Sequence, residues 1–415
     1  MGIAHALPRT FSSIVETTFA DTTVDFDATG SQFYAFEPDL GSIAQEMIEN
    51  QNNRPTTFAE HKGVLALKSG SSITWAEYLT GSGATAAAGA PAVSTVLSEH
   101  MLASLGGRTL NYAGTAISNA AEVVTMDTGE GADYVVGDMI YINDATTGGE
   151  WFRVESITGD ALTLDRAPSF TVSSDDTLAG IQTYCDWYVA TTPSEGQHKT
   201  LALAVKGVDT EDYWETYGVK PQVEIDELQQ NTAPTLRFNG LVTKFEWETL
   251  TAAALAGTDA GEAPLANSTG CSFKFKIAQV GVDLADVDAY KIQPRFGITY
   301  AGVDGPNGCE GRHAFIGSGF DPGLDVTLEF DDDYGTGYRA QTLYHALIQI
   351  GNGADSVSIY YPYLEINAEP KRSGEDNVSV DVTFKALRNQ VADGASLTGA
   401  NLRRWYAPFH VTTTA

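Results

Sequence analysis

From Asn377 to Ala386 the chain reads NVSVDVTFKA, a strict alternation. Val378, Val380, Val382, Phe384 and Ala386 share one parity, and Asn377, Ser379, Asp381, Thr383 and Lys385 the other. Successive side chains of a strand point to opposite faces, so this pattern predicts a half-buried β-strand. CSFKFKI alternates likewise, with Phe273, Phe275 and Ile277 against Ser272, Lys274 and Lys276. SVSIYYPYLEI carries Pro362 inside its alternation, which predicts a bulge or an edge position. In RFNGLVTKFEWE the phase slips between Val242 and Phe245, again the mark of a bulge.

Three segments repeat their apolar residues at helical spacing instead. DLGSIAQEMIEN groups Leu40, Ile43, Ala44, Met47 and Ile48, with Asp39 as N-cap. PAVSTVLSEHMLASLGG groups Val93, Val96, Leu97, Met101 and Leu105, opened by Pro91 and stopped by Gly106-Gly107. YRAQTLYHALIQIGNG groups Leu343, Ala346, Leu347 and Ile350 ahead of Gly351. Helices are therefore expected over 39–50, 92–105 and 338–350, each packing an apolar stripe on a sheet.

Between the second helix and the next long strands lie three short strands, MIYI, WFRVESI and ALTL. Turn signals at Gly137-Asp138, Thr147-Gly148-Gly149 and Thr158-Gly159-Asp160 separate them. Residues 108–182 are read as a small β-barrel inserted into a first domain made of 1–107 and 183–255. AGTDAGEAPLANSTG, within 256–270, reads as a linker, and 271–415 as a second domain. The two domains echo each other. VEIDELQQNTAPTLRFNGL begins at Val223, and LEINAEPKRSGEDNVSVDVTFKAL begins at Leu364, 141 residues later. Downstream, Leu236, Phe238, Gly240 and Leu241 fall opposite Val382, Phe384, Ala386 and Leu387. An amphipathic segment precedes each copy, so a duplicated unit is expected.

Composition narrows the class. The 415 residues are 43% hydrophobic, with 41 glycines and Thr, Val, Ile, Tyr and Phe spread throughout, which favours a mainly β protein of two or three domains. Acidic residues outnumber basic ones 54 to 24, a formal net charge of −30. Binding to nucleic acid through phosphates needs clustered Lys and Arg, and only the pairs Lys371-Arg372 and Arg403-Arg404 adjoin. Cys185, Cys271 and Cys309 form neither a metal motif nor a disulfide framework. No signal peptide and no membrane-length apolar run is read. His5, His61, His100, His198, His313, His345 and His410 never take a metal-ligand spacing, and His100 and His345 read as packed helix histidines. DFDATGSQFYAF starts like a calcium loop but has Phe36 where the bidentate Glu belongs. No catalytic, cofactor-binding or metal residue is nominated.

Taken together, the 92–107 helix, the series HKTLALAVKGVDTEDYWETYGVKPQVEIDELQQNTAPTLRFNGLVTKFEWE and the closing SVSIYYPYLEINAEP with NVSVDVTFKAL resemble the tail tube (major tail) proteins of long-tailed, non-contractile bacteriophages. The likeness spans about 60–410 and is one of pattern. It implies tandem antiparallel β-sandwich domains, each flanked by a helix, with the inserted barrel displayed outside. It implies self-assembly into rings stacked as a tube in the virion, made in the host bacterial cytoplasm. Three copies of a duplicated chain would fill a pseudo-sixfold ring, favoured over six copies. The implied partners are the tape measure protein inside and the tail terminator and distal tail proteins at the ends, with DNA passing through unbound and no membrane contact. Ser379, Asp381, Thr383, Lys385, Glu224 and Asp226 become candidates for the polar tube lining, with Lys385 paired to Asp381 or to a neighbouring subunit. Another virion β-protein (capsid decoration, tail terminator or baseplate component) and a carbohydrate-binding β-sandwich stay open as alternatives.

Overall fold

The computed structural model describes residues 10–26, 30–33, 35–39, 45–48, 64–68, 72–79, 95–106, 112–144, 148–174, 176–184, 199–206, 213–229, 232–248, 255, 273–304, 312–329, 333–352, 355–373, 379–388 and 405–413. The chain is mainly β, its described residues forming antiparallel strands with two short α-helices and one 3-10 turn, Glu130–Asp133. In the N-terminal half the sheet order is Ser31–Phe33, Thr10–Val15, Leu201–Lys206, Tyr213–Ile225, Thr235–Leu241, Ser72–Tyr78 and Phe36–Asp39. Lys244–Glu248 adds to the first part of Tyr213–Ile225. LALAVK, at 201–206, is buried on both faces. Leu201, Leu203 and Val205 enter the main core, while the smaller Ala202 and Ala204 leave room for Phe26, Tyr213 and Tyr217 on the other side.

The C-terminal half has the same order. Ala285–Asp286, Lys274–Gln279, Leu343–Asn352, Asp355–Ile366, Ser379–Ala386, Gly323–Glu329 and Ala289–Arg295 follow one another across the sheet, and His410–Thr413 adds to the first part of Asp355–Ile366. Chain order matches as well. Each half places a two-stranded hairpin (Gln45–Ile48 with Val64–Lys68, or Ile298–Asp304 with Arg312–Phe320) between its third and fourth sheet strands in sequence. A helix, Thr95–Leu105 or Asp333–Ala340, then leads to the next strand.

The long central strand of each half changes partner midway. Tyr213–Tyr217 pairs with Lys244–Glu248 and Lys220–Ile225 with Leu236–Leu241. Between them Gly218 has φ +60°, and a Cβ there would lie 2.8 Å from Thr243 Oγ1, so only glycine fits the bend. The break at Val242-Thr243 is where the sequence lost its phase. In the second half the register shifts around Pro362, as its position in the alternation foretold.

Two helix expectations are corrected. Residues 45–48 of the 39–50 segment form a strand, and the rest of that segment's proposed stripe falls outside the described residues. Residues 343–352 are a strand, so His345 is a strand residue, and the second-half helix lies earlier, at Asp333–Ala340. The strand imitated a helix because both its faces are covered. Ala346, Ile348 and Ile350 enter the main core, while Leu347 packs with Trp151, Met139 and Tyr141 on the opposite side. The 92–105 helix is observed as Thr95–Leu105, stopped by Gly106 at φ +70°.

Those last three aromatic and apolar residues belong to the barrel. Tyr112–Ala120, Val123–Met126, Ala161–Leu164, Gly148–Thr158, Met139–Asp144 and Thr177–Tyr184 pair in that sequence, and the last pairs back with the first. The interior is filled by Val124, Met126, Ile140, Ile142, Phe152, Val154, Leu162 and Leu164. Its outer wall is not free. Met139, Tyr141 and Trp151 lie against Leu284, Leu347 and Tyr360, and Trp151 Nε1 donates to Ser356 Oγ at 2.8 Å. Thr177–Tyr184 leaves the barrel at its end, where residues 181–184 pair with His410–Thr413. The insert is thus wedded to the C-terminal half, although it interrupts the N-terminal one.

Candidate functional site

Ser379, Asp381, Thr383 and Lys385 lie on one face of Ser379–Ala386, opposite the buried Val380, Val382, Phe384 and Ala386. Cross-strand rows extend this polar face. Lys291, Thr327 and Asp381 form one, Gln293, Asp325 and Thr383 a second, and Arg295, Gly323, Lys385 and Glu365 a third. Asp381 Oδ1 accepts from Thr327 Oγ1 at 2.7 Å, and Arg295 Nε lies 2.9 Å from Asp325 Oδ2. Lys385 is not paired with Asp381. Its ammonium stands 4.0 Å from Asp321, while Asp381 is four residues along the strand and turned to Thr327.

Glu224 and Asp226 sit on the corresponding face of the N-terminal half, not in the same sheet as the other four candidates. Glu224 is opposite Arg237 in the ladder, and Asp226 accepts from Arg237 Nε at 2.8 and 3.0 Å. On both faces most cations adjoin a carboxylate, so neither offers a cluster of free positive charge to a polyanion.

The two faces meet at a junction that sequence reading did not locate. Leu228-Gln229, in the connector after VEID, forms a short strand paired with Ile292 and Lys291 of the C-terminal half. Leu228 is 5% exposed and shares a core with Ile292. Around it Glu227 holds Lys291 at 3.2 Å, and Gln293 Nε2 donates to Ile225 O at 2.5 Å. Tyr300, from the C-terminal hairpin, donates its hydroxyl to Ser104 O at the end of the first helix (2.5 Å), and its own carbonyl accepts from Gln222 Nε2. Lys220 is fully buried here, its Nζ donating to Ala103 O and Lys199 O and lying 4.5 Å from the Tyr300 ring centre. Burial draws its pKa well below the ordinary lysine range. A signal for this junction was present in the sequence. YAFEPDL, from Tyr34, echoes YKIQPRF, from Tyr290, and covers the strands Phe36–Asp39 and Ala289–Arg295, the second of which receives Leu228-Gln229. Pro221 and Pro362 likewise extend the VEID and LEIN echo.

The remaining chemistry is local. His100 is buried with Nδ1 2.7 Å from Glu77 Oε1, which also accepts from Trp75 Nε1 at 2.6 Å. The ring stands edge-on to Phe33, Trp75 and Phe238, fixing the helix to the sheet. His345 Nε2 contacts Val282 O at 2.8 Å, and burial lowers its pKa. Among the described residues no group of His, Cys, Asp and Glu could hold a metal ion, and no helix is long and apolar enough to cross a membrane. No family model matches the chain, and a search of curated proteins finds no match.

Proposed function

We propose that the chain is the subunit of a bacteriophage tail tube, assembling as rings that stack into a conduit within the virion. One observation carries this reading: the chain repeats one strand order twice and joins the two copies through a sheet edge. A unit that contacts its twin in this way extends naturally to further copies, and joining sheets around a ring removes the edges that would otherwise aggregate. Each half is then one β-sandwich tube domain with its flanking helix, and three chains supply six domains to a ring.

The polar faces that carry Ser379, Asp381, Thr383 and Lys385 in one half, and Glu224 and Asp226 in the other, line the channel. Their cations are tied to neighbouring carboxylates, so DNA passes without a handle, and the net charge of −30 adds repulsion. The tape measure protein fills the same channel before ejection, and the tail terminator and distal tail proteins cap the ends. The reading assigns no catalytic residue and no cofactor. Negative-stain microscopy of the purified protein, with mass measurement of single rings, tests it. Stacked rings of three chains with an open centre are expected. Monomers persisting across salt and concentration would overturn it.

A further inference from the structure

The junction between the halves is one-directional. The N-terminal half contributes a connector (Asp226–Gln229) and a helix end, and the C-terminal half contributes its Ala289–Arg295 edge and its hairpin. A two-fold relation would make the exchange reciprocal, with the C-terminal connector lying on the Phe36–Asp39 edge. Among the described residues that contact is not made. The connector following LEIN folds back instead, Lys371–Ser373 pairing with Ser379–Asp381, and Asn367, Ala368, Glu369 and Lys371 are exposed where Leu228 is buried. Phe36–Asp39, for its part, pairs only with Ser72–Tyr78 among the described residues. Among the described residues each chain therefore carries one used junction and two unused half-junctions, one connector and one edge, the arrangement that propagates into rings or filaments.

Charge identifies what fills the unused sites. In the used junction the connector is acidic, with Asp226 and Glu227, and the receiving strand is basic, with Lys291 and Arg295. In the unused sites the signs are reversed. The connector carries Lys371-Arg372, one of only two adjacent basic pairs in the chain, against a single acidic residue, Glu369. The receiving strand carries Glu37, and Asp39 stands where the echo places Arg295. Pro38 and Pro294 occupy the same place in the two receiving strands, as befits edge positions. The reversal makes each connector complementary to one edge and repelled by the other, which fixes order along the assembly.

We infer that copies of this chain join head to tail, the 367–373 connector of one lying along the Phe36–Asp39 edge of the next. The inference rests on the tube reading for its purpose but on the internal junction for its geometry. Three charge variants test it: Lys371→Glu with Arg372→Glu, Glu37→Lys with Asp39→Lys, and all four changes in one chain. Assembly is followed by sedimentation and microscopy, with circular dichroism and thermal melts confirming the fold of each. Each two-site variant should need at least about tenfold more protein to assemble than the original chain, and the four-site variant should assemble as the original does. As a second readout, Glu37→Cys with Lys371→Cys, in a chain whose Cys185, Cys271 and Cys309 are changed to serine, should give an oxidised ladder of covalent multimers. If the original chain assembles but the two-site variants do so equally well, or the four-site variant and the cysteine ladder both fail, the inference is overturned and the tube reading stands. An original chain that never assembles overturns both.

Discussion

His410 offers a sharp test of how the last strand is held. It is fully buried in His410–Thr413, opposite Tyr184 on one side and Tyr360 on the other. Burial, reinforced by the nearby Arg153 guanidinium, lowers its pKa from 6.5 to about 3. The folded state thus disfavours the imidazolium. The stability that neutral His410 permits is fully present above pH 6.5 and is lost as pH falls from there towards 3, where the unfolded chain binds a proton and the folded chain does not. From pH 7 to pH 5 the loss is about 2 kcal/mol, from ~1.36 kcal/mol per pH unit below the unfolded-state pKa. His410→Phe keeps an aromatic ring in the site and removes the titration. Urea unfolding of both proteins at pH 7, 6 and 5 isolates the effect, since the many surface carboxylates titrate in each. The original chain should lose about 2 kcal/mol more than the variant over this span. Parallel pH profiles would show that His410 is solvated or protonated in the fold, and the account of the strand's burial would fail.

Two further outcomes are expected. Leu228→Ala should cost about 2–4 kcal/mol in urea unfolding, because a buried leucine at the junction leaves a cavity between two sheets that cannot readily close. An effect under about 0.5 kcal/mol, the range of a surface substitution, would mean that the halves are not docked there. Gly218→Ala should lower thermal stability by about 1–3 kcal/mol, through the left-handed backbone and the clash with Thr243, whereas Gly129→Ala meets no neighbour and should bear only the backbone cost. Equal melting shifts for the two would refute the steric part.

Strands with one wet face were plain in the sequence. Alternation placed Ser379–Ala386 with its faces correctly divided, and the broken phases at Pro362 and Val242 marked real irregularities. Strands dry on both faces were not plain. Leu343–Asn352 looked helical because the barrel, contributed by residues some two hundred positions earlier, covers its second side. The Asp333–Ala340 helix escaped notice for the opposite reason. Gly335 and Gly337 are poor helix formers, yet a Cβ at Gly337 would collide with the Tyr344 hydroxyl. At the candidate site, alternation identified which residues are polar-facing. It could not show that VEID continues into a connector that crosses to the other half, since that depends on an edge strand sixty residues away.

The placement of His410–Thr413 bears on the order in which the parts of the fold can come together. This strand is the tie between the barrel, through Thr177–Tyr184, and the C-terminal sheet, through Asp355–Ile366, and it lies far along the chain from the barrel it holds. The barrel can close early on its own local pairings, but its seat against Leu347 and Tyr360 is tied only once these distant segments have paired. A chain in which this strand is not yet in place carries a finished barrel beside an open sheet edge. Closing the barrel and seating it are thereby separate steps, the second waiting on a contact of high sequence separation.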